Sequence, residues 1–171
     1  MFLFSLFFMN GLVSAETNNI NHPVHIHADK MVASPQKRYM KFQGHVRVTQ
    51  EGIQLNADEL NVYLISSENS VAITKESIKK INAVGNVHIH WNAYKIDADT
   101  AIYLPLENKM LVSGNMARIY QGKNMIAGSR IILNLSTDQI EISSKKGEQV
   151  EAFYEFSDQD MKNFQMQKSD P

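Results

Sequence analysis

Cysteine is absent from the 171 residues, which removes disulfides, thiolate metal ligands and cysteine nucleophiles together. The compartment stays open on that count, because a domain with a sufficient core folds without covalent staples in an oxidising space. Four prolines and eight glycines are too few for collagen-like or low-complexity sequence. Neither sign of charge dominates: 17 basic side chains face 18 acidic ones. A dedicated nucleic-acid binder would carry a clear basic excess, so no nucleic-acid partner is expected. Beyond the N-terminus no run of 18 apolar residues occurs, and no membrane-spanning helix is expected in the body of the chain. What the sequence does have is a hydrophobic fraction of 43%, too high for wholesale disorder. Its length suits one domain.

The N-terminus reads as an export signal. Met1 to Val13 form a short apolar run dense in Phe and Leu, followed by Val13-Ser14-Ala15 and the polar Glu16. Small or aliphatic residues thus stand at the two positions a signal peptidase inspects. The run carries no Lys or Arg, a departure from the usual charged start. A retained membrane anchor is the rival reading, but the stretch is interrupted by Asn10 and Gly11 and is short against the roughly 20 residues of a span. Cleavage would give a signal peptide at 1–15, a short linker at 16–23 and a chain working outside the cytoplasm.

The rest is organised by a repeat. Ala-Asp recurs at Ala28-Asp29, Ala57-Asp58 and Ala98-Asp99, with Ala127-Gly128 as a degenerate fourth copy. A glycine set among alternating apolar residues recurs at Gly44, Gly85 and Gly114. Asp-to-Gly distances are 15, 27 and 15, and each Gly lies 14 residues before the next Asp position. The unit is 29 residues, with a 12-residue insertion between about Ser66 and Ser77.

Inside the unit the period is two, the signature of strands. Met40, Phe42, Val46 and Val48 alternate with Lys41, Gln43, His45 and Arg47; Ile81, Val87 and Ile89 alternate with Asn82, Asn86 and His88. Met110, Val112 and Met116 continue the pattern, and Arg118 breaks it. Such alternation puts one face on a core and the other in water. Ile26, Leu55, Ile96 and Met125 precede the Ala positions in the same phase. Beyond each Ala the apolar step is three instead of two, which implies an extra residue, a bulge or corner. The Asp beside it is then expected to cap freed backbone amides; a catalytic carboxylate would need a second acid nearby. No segment shows a convincing helix, and turns fall at Ser34-Pro35-Gln36, Leu104–Asn108, Gln121–Asn124 and Ser136-Thr137-Asp138. Residues 157–171 are polar without alternation and read as a tail. The expected fold is all-β, built from about four two-strand repeats within residues 24–156.

Chemistry-bearing candidates are few. His25-x-His27 and His88-x-His90 could each chelate an ion, since i and i+2 share a face of a strand. Their apolar neighbours Ile26, Val87 and Ile89 claim the inward face, so these imidazoles are expected outward, with no downstream cluster to complete a site. No metal and no cofactor is expected. Nucleophile elbows, P-loops and dinucleotide fingerprints are absent from the sequence, and an enzyme is not expected. Lys37, Arg38, Lys79, Lys80 and Lys109 gather five to seven residues before each Gly, near one rim of the sheet. They are ordinary charged turns, or candidate contacts to anionic head groups. Met31, Met40, Met110, Met116 and Met125 all hold inward register positions, and Met suits a surface that repacks around irregular apolar partners. A closed core and an acyl-chain channel both accommodate them.

The segments Gly44 to Tyr63 (GHVRVTQEGIQLNADELNVY), Gly85 to Tyr103 (GNVHIHWNAYKIDADTAIY) and Gly114 to Leu135 (GNMARIYQGKNMIAGSRIILNL) resemble the OstA-like domain. The resemblance covers about residues 24–156, and the arrangement is most similar to the LptA-type periplasmic branch of lipopolysaccharide transport. It implies a twisted, partly open β-jelly roll whose greasy interior takes lipid A acyl chains of lipopolysaccharide. The lining it implies is the inward apolar face: Ile26, Met40, Phe42, Val46, Val48, Leu55, Ile81, Val87, Ile89, Ile96, Met110, Val112, Met116 and Met125. It also implies head-to-tail self-association and partners in inner-membrane LptC-like and outer-membrane LptD-like OstA domains. Alternatives are a membrane-anchored LptC-like relative, a β-repeat scaffold without lipid, or a metal-dependent jelly-roll enzyme.

Overall fold

The computed structural model describes residues 23–65, 77–137 and 139–155. The signal at 1–15, nearly all of the linker, most of the insertion and the tail at 157–171 lie outside the described residues. The rest is β-structure: β1 (His25–His27), β2 (Lys30–Ser34), β3 (Tyr39–Gln50), β4 (Ile53–Leu64), β5 (Ile78–Trp91), β6 (Tyr94–Leu104), β7 (Lys109–Gln121), β8 (Asn124–Asn134), β9 (Gln139–Ser143) and β10 (Glu151–Phe153). A three-residue 3-10 turn at Pro105–Glu107 joins β6 to β7.

All ten strands form one antiparallel sheet. β3 to β8 follow one another as a meander, β1 and β2 pair with the two halves of β3, and β10 and β9 pair with the two halves of β8. Two-residue connections at Glu51-Gly52, Asn92-Ala93 and Gly122-Lys123 join the long strands at one end. Each carries a left-handed residue (Gly52, Asn92 or Gly122), as tight hairpins require.

Every long strand is bent near its middle, where the register slips between Gln43 and Val46, Val84 and Val87, and Ser113 and Ala117. The bends divide the sheet into two leaflets. The first carries residues 39–43, 60–64, 80–84, 100–104, 109–113 and 130–134; the second carries 46–50, 53–57, 87–91, 94–98, 117–121 and 124–128. Their inner faces share one apolar cluster, from Phe42, Leu60, Val112 and Ile131 on the first to Val46, Val87, Ile96 and Ile119 on the second. This folded-over sheet is the jelly roll that the resemblance implies.

The corner is built by the repeated Gly and Asp. Gly44-His45 stand opposite the single Asp58 of β4, and Gly85-Asn86 opposite the single Asp99 of β6. The extra residue therefore lies on the glycine strand rather than beside Ala-Asp, because the bend needs left-handed backbone (φ +76° and +45° at the first corner) that glycine adopts without strain. The Asp side chain fills the space left by the missing Cβ: Asp29 lies over Gly44, Asp58 over Gly85 and Asp99 over Gly114. The expected capping of a backbone amide is met at Asp99 alone, whereas Asp58 and Asp29 accept from side chains across the strands. Asn115 N–H donates to Asp99 Oδ2 (2.9 Å), Asn86 Nδ2 to Asp58 Oδ2 (2.8 Å), and His45 Nδ1 to Asp29 Oδ2 (2.7 Å).

The third corner departs from this scheme and overturns two expectations. Here three residues, Gly114, Asn115 and Met116, stand opposite Ser129 alone. The added residue turns Ala117 and Ile119 inward, both buried, and leaves Met116 39% exposed. Arg118 is consequently outward and no longer an anomaly. The slip carries into β8, where Ile126 pairs with the inward Ile119, and Met125 pairs with the outward Tyr120. Met116 and Met125 are thus corrected to the outer face. The true fourth Ala-Asp equivalent is Gly128-Ser129: Gly128 pairs with Ala117 as Ala57 pairs with Val46, and the Ser129 hydroxyl accepts from Lys145 N–H (3.2 Å) in the manner of the Asp caps.

Candidate functional site: an apolar interior open at two edges

The space between the leaflets is graded. In the middle, Val46, Val87, Ile96, Val112 and Ile131 are fully buried and form a dry core. Towards the edges and ends the lining loosens: Ile26, Met40, Val48, Leu55, Ile81 and Met110 are half-buried against that core. At the edges apolar side chains come to the surface. In inward register, Met31 (54% exposed) lies on the β1–β2 edge and Ile140 (42%) on the β9–β10 edge, whereas the exposed Val32 and Phe153 pair with the outward Lys41 and Met125 and face out. Because β1/β2 and β9/β10 do not pair with one another, the interior has an apolar mouth at each side of the sheet.

Twelve of the fourteen lining positions expected from alternation thus face inward: Ile26, Met40, Phe42, Val46, Val48, Leu55, Ile81, Val87, Ile89, Ile96, Met110 and Val112. Alternation missed Ala117, Ile119, Ile126, Ile131 and Leu133, which also line the interior. Arg118 at a nominally inward place was the one signal for the first three. Met31 keeps its inward register, pairing with Phe42, and is exposed because nothing follows it at the edge.

The basic residues do collect at one rim, where β3, β5 and β7 begin and β4, β6 and β8 end. Lys80 pairs with Tyr63 and Lys109 with Leu104. Several are already engaged: Arg38 donates to the Ile65 carbonyl (3.1 Å), Lys80 lies 4.4 Å over the Tyr63 ring, and Lys109 contacts Glu107 (3.3 Å). Lys37 and Lys79 are exposed. Beside them, on the outer side of the first leaflet, sits a polar network. Lys41 Nζ lies 2.7 Å from Glu59 Oε2, Asn61 Nδ2 donates to Glu59 Oε1 (2.8 Å), and the Tyr39 hydroxyl donates to Asn61 Oδ1. The Lys41 ammonium and then the Asn61 amide hold the Glu59 carboxyl below the usual carboxylate range. The Glu59 hydrogen bond raises Lys41 in turn. This network secures the rim of the sheet.

His25, His27, His88 and His90 are exposed on the outer face, as alternation requires. His88 Nδ1 donates to Asp97 Oδ1 (2.6 Å). Among the described residues no group of three His, Asp or Glu is placed to hold a metal ion.

Residues 25–139 match the family described as LptA/(LptD N-terminal domain) LPS transport protein, well over half of the chain. The chain belongs to this family. The LptA-like assignment coincides with the meander from β1 to the start of β9. Among solved structures the chain resembles LptH, the LptA-homologous periplasmic component of the lipopolysaccharide transport device of Pseudomonas aeruginosa. The TM-score is 0.65 at 14% identity, covering 78% of this chain and 96% of that one; at that identity the likeness is one of fold. An uncharacterised protein of Rhizobium meliloti (strain 1021) is 20% identical over 127 residues, 74% of this chain and 68% of the relative. The partly open LptA-like jelly roll implied by the resemblance is therefore the fold of this chain.

Proposed function

We propose that this LptA-like protein is a periplasmic lipid carrier that bridges inner and outer membrane for lipopolysaccharide, and that it does so without catalysing a reaction. The observation that carries the proposal is the graded interior, packed in its middle and opening through half-buried Met and Ile to an exposed apolar mouth on each edge. Acyl chains bind such a surface non-directionally, at about 0.8 kcal/mol for each methylene removed from water. Entry at one mouth requires the leaflets to part, and the flexible methionines Met40 and Met110 suit an interior that repacks around irregular chains. The unpaired edges also invite strand addition. Copies stacked head to tail, with LptC-like and LptD-like OstA domains at the two ends, would join mouth to mouth into one apolar path. The exposed rim bases Lys37 and Lys79 are the first candidates for phosphate contact there.

A photoreactive residue at Met31, Met40 or Ile140, activated in cells, tests this reading. Crosslinking to lipopolysaccharide is expected from these positions and not from Met116 on the outer face. Equal crosslinking from Met116, or none from the three mouth and interior positions, would overturn it.

A further inference from the structure

The two outer faces of the folded sheet differ in chemistry. Across the first leaflet, one cross-strand row runs Lys41, Asn61, Asn82, Ile102, Leu111, Ile132 and turns apolar from Ile102 onward. The second leaflet has nothing comparable from β1 to β7. Successive pairing places His27, Arg47, Asn56, His88, Asp97 and Arg118 in one row. A second row holds His25, Thr49, Gln54, His90, Lys95 and Tyr120. None of these twelve is aliphatic. Three are permanent cations and four are imidazoles, against one carboxylate that already accepts from His88. A chain of net charge -1 has thus gathered positive and planar polar groups on one sheet face.

The face is also hollowed where it matters. A depression of about 530 Å³ is lined by Asn56, His88, His90, Lys95, Asp97, Tyr120 and Gly122. A second of about 240 Å³, lined by Gln50, Gly52, Ile53, Gln54 and His90, meets it at His90. Asp97 fixes the His88 ring through Nδ1, which leaves Nε2 as the other ring atom able to reach a ligand. Amides and imidazoles can each donate and accept, which matches hydroxyl groups. Lys95 supplies a mobile ammonium for an anion, and the Tyr120 ring gives a flat surface with a polar tip. Cations alone would suit any polyanion; the amide and aromatic groups between them suit a sugar that carries phosphate.

We infer that the outer face of the second leaflet binds a phosphorylated saccharide, in the hollow formed by Asn56, His88, His90, Lys95 and Tyr120. Its source is the sugar portion of a glycolipid, an attribution that rests on the proposed carrier function. The binding chemistry itself stands apart from the acyl interior, on the opposite side of the same strands.

The test uses the purified protein and delipidated, phosphorylated core oligosaccharide as probe, followed by calorimetry and by amide NMR shifts. Shifts confined to the hollow are expected. The double variant His90→Ala/Lys95→Ala should bind at least about tenfold more weakly, the scale of losing a charge-assisted contact, with thermal unfolding and capture of intact lipopolysaccharide by the interior unchanged. Dephosphorylated probe should bind more weakly than the phosphorylated one. An equal loss in Lys30→Ala, exposed on β2 beside the first leaflet, would show only diffuse charge attraction and overturn the site. So would absence of shifts in the hollow, or Zn²⁺ capture by His88 and His90 without saccharide binding. Equal affinity for glucosamine 6-phosphate would overturn the glycolipid source while leaving the carrier reading intact.

Discussion

The carboxylate of Asp58 occupies the space that a side chain on Gly85 would need. The two residues are 27 apart in sequence and lie on neighbouring strands at the same corner. Gly85 is left-handed (φ +77°), so alanine there meets both a backbone cost of about 1–2 kcal/mol and the displaced carboxylate. Gly85→Ala should lower stability by about 2 kcal/mol or more. Gly114→Ala should cost less, since its backbone is not left-handed and its nearest contacts are at 3.0 Å. Urea unfolding midpoints of the two variants, compared side by side, check the order.

Ala117→Asp would bury a carboxylate in the core and should unfold the protein or cost several kcal/mol. Met116→Lys, one residue earlier, should stay within about 0.5 kcal/mol of the parent. Thermal melting of both variants tests the slipped register. The opposite ranking would restore the uniform alternation.

That slip marks the boundary of what sequence could reveal. Alternation around Gly44 and Gly85, and the Ala-Asp recurrence, are enough to place strands, corners and twelve lining residues. At Gly114 the spacing of 14 residues reaches Gly128, but the Asp equivalent is Ser129, 15 residues on. The extra residue lies between Gly114 and Ala117, since Ala117 and Gly128 are 11 apart as Val46 and Ala57 are, and only strand pairing reveals it. Arg118 was the local protest, because a guanidinium is not placed in a dry core. The graded opening of the interior was illegible for another reason. Phe42 and Met31 pair with each other on the same face, and they differ in exposure only because one lies inside the sheet and the other at its edge.

The first corner is closed by a different residue from the others, His45 where Asn86 and Asn115 follow later glycines. The hydrogen bond to the Asp29 carboxylate, and then its charge, raises the His45 imidazole above its ordinary 6.5. A raised folded value makes the protonated form the stabilising one. The contribution is complete below 6.5 and fades as pH rises through the folded value. His45→Asn should remove this slope between neutral and mildly acid pH. A titration of the His45 ring by NMR, giving a midpoint at or below 6.5, would contradict it.

Stability and cargo contact should separate along the interior. Ile89→Ala, in the packed middle, should cost about 2–4 kcal/mol. Ile140→Ala, exposed in inward register at the β9 edge, should change stability by no more than about 0.5 kcal/mol and yet weaken lipopolysaccharide capture. Denaturant unfolding beside a lipid pull-down distinguishes them. An Ile89→Ala variant as stable as the parent would mean that the middle is not a core.

The order of the sheet bears on how the chain reaches its folded state. All five pairings from β3 to β8 join consecutive strands, and four of the five hairpins close over two to four residues, with only β4 to β5 spanning the longer 65–77. Slow folding in β-proteins comes largely from partners distant in sequence, and here the central sheet needs none. A chain delivered N-terminus first can lay down β3 and β4 as a template and extend it one strand at a time. The same economy makes length adjustable. A corner-bearing pair of strands added or removed between β4 and β7 would meet neighbours of its own kind and leave both edges as they are. Repeat architectures grow and shrink in this way, and the insertion between β4 and β5 shows that the joints already tolerate extra chain.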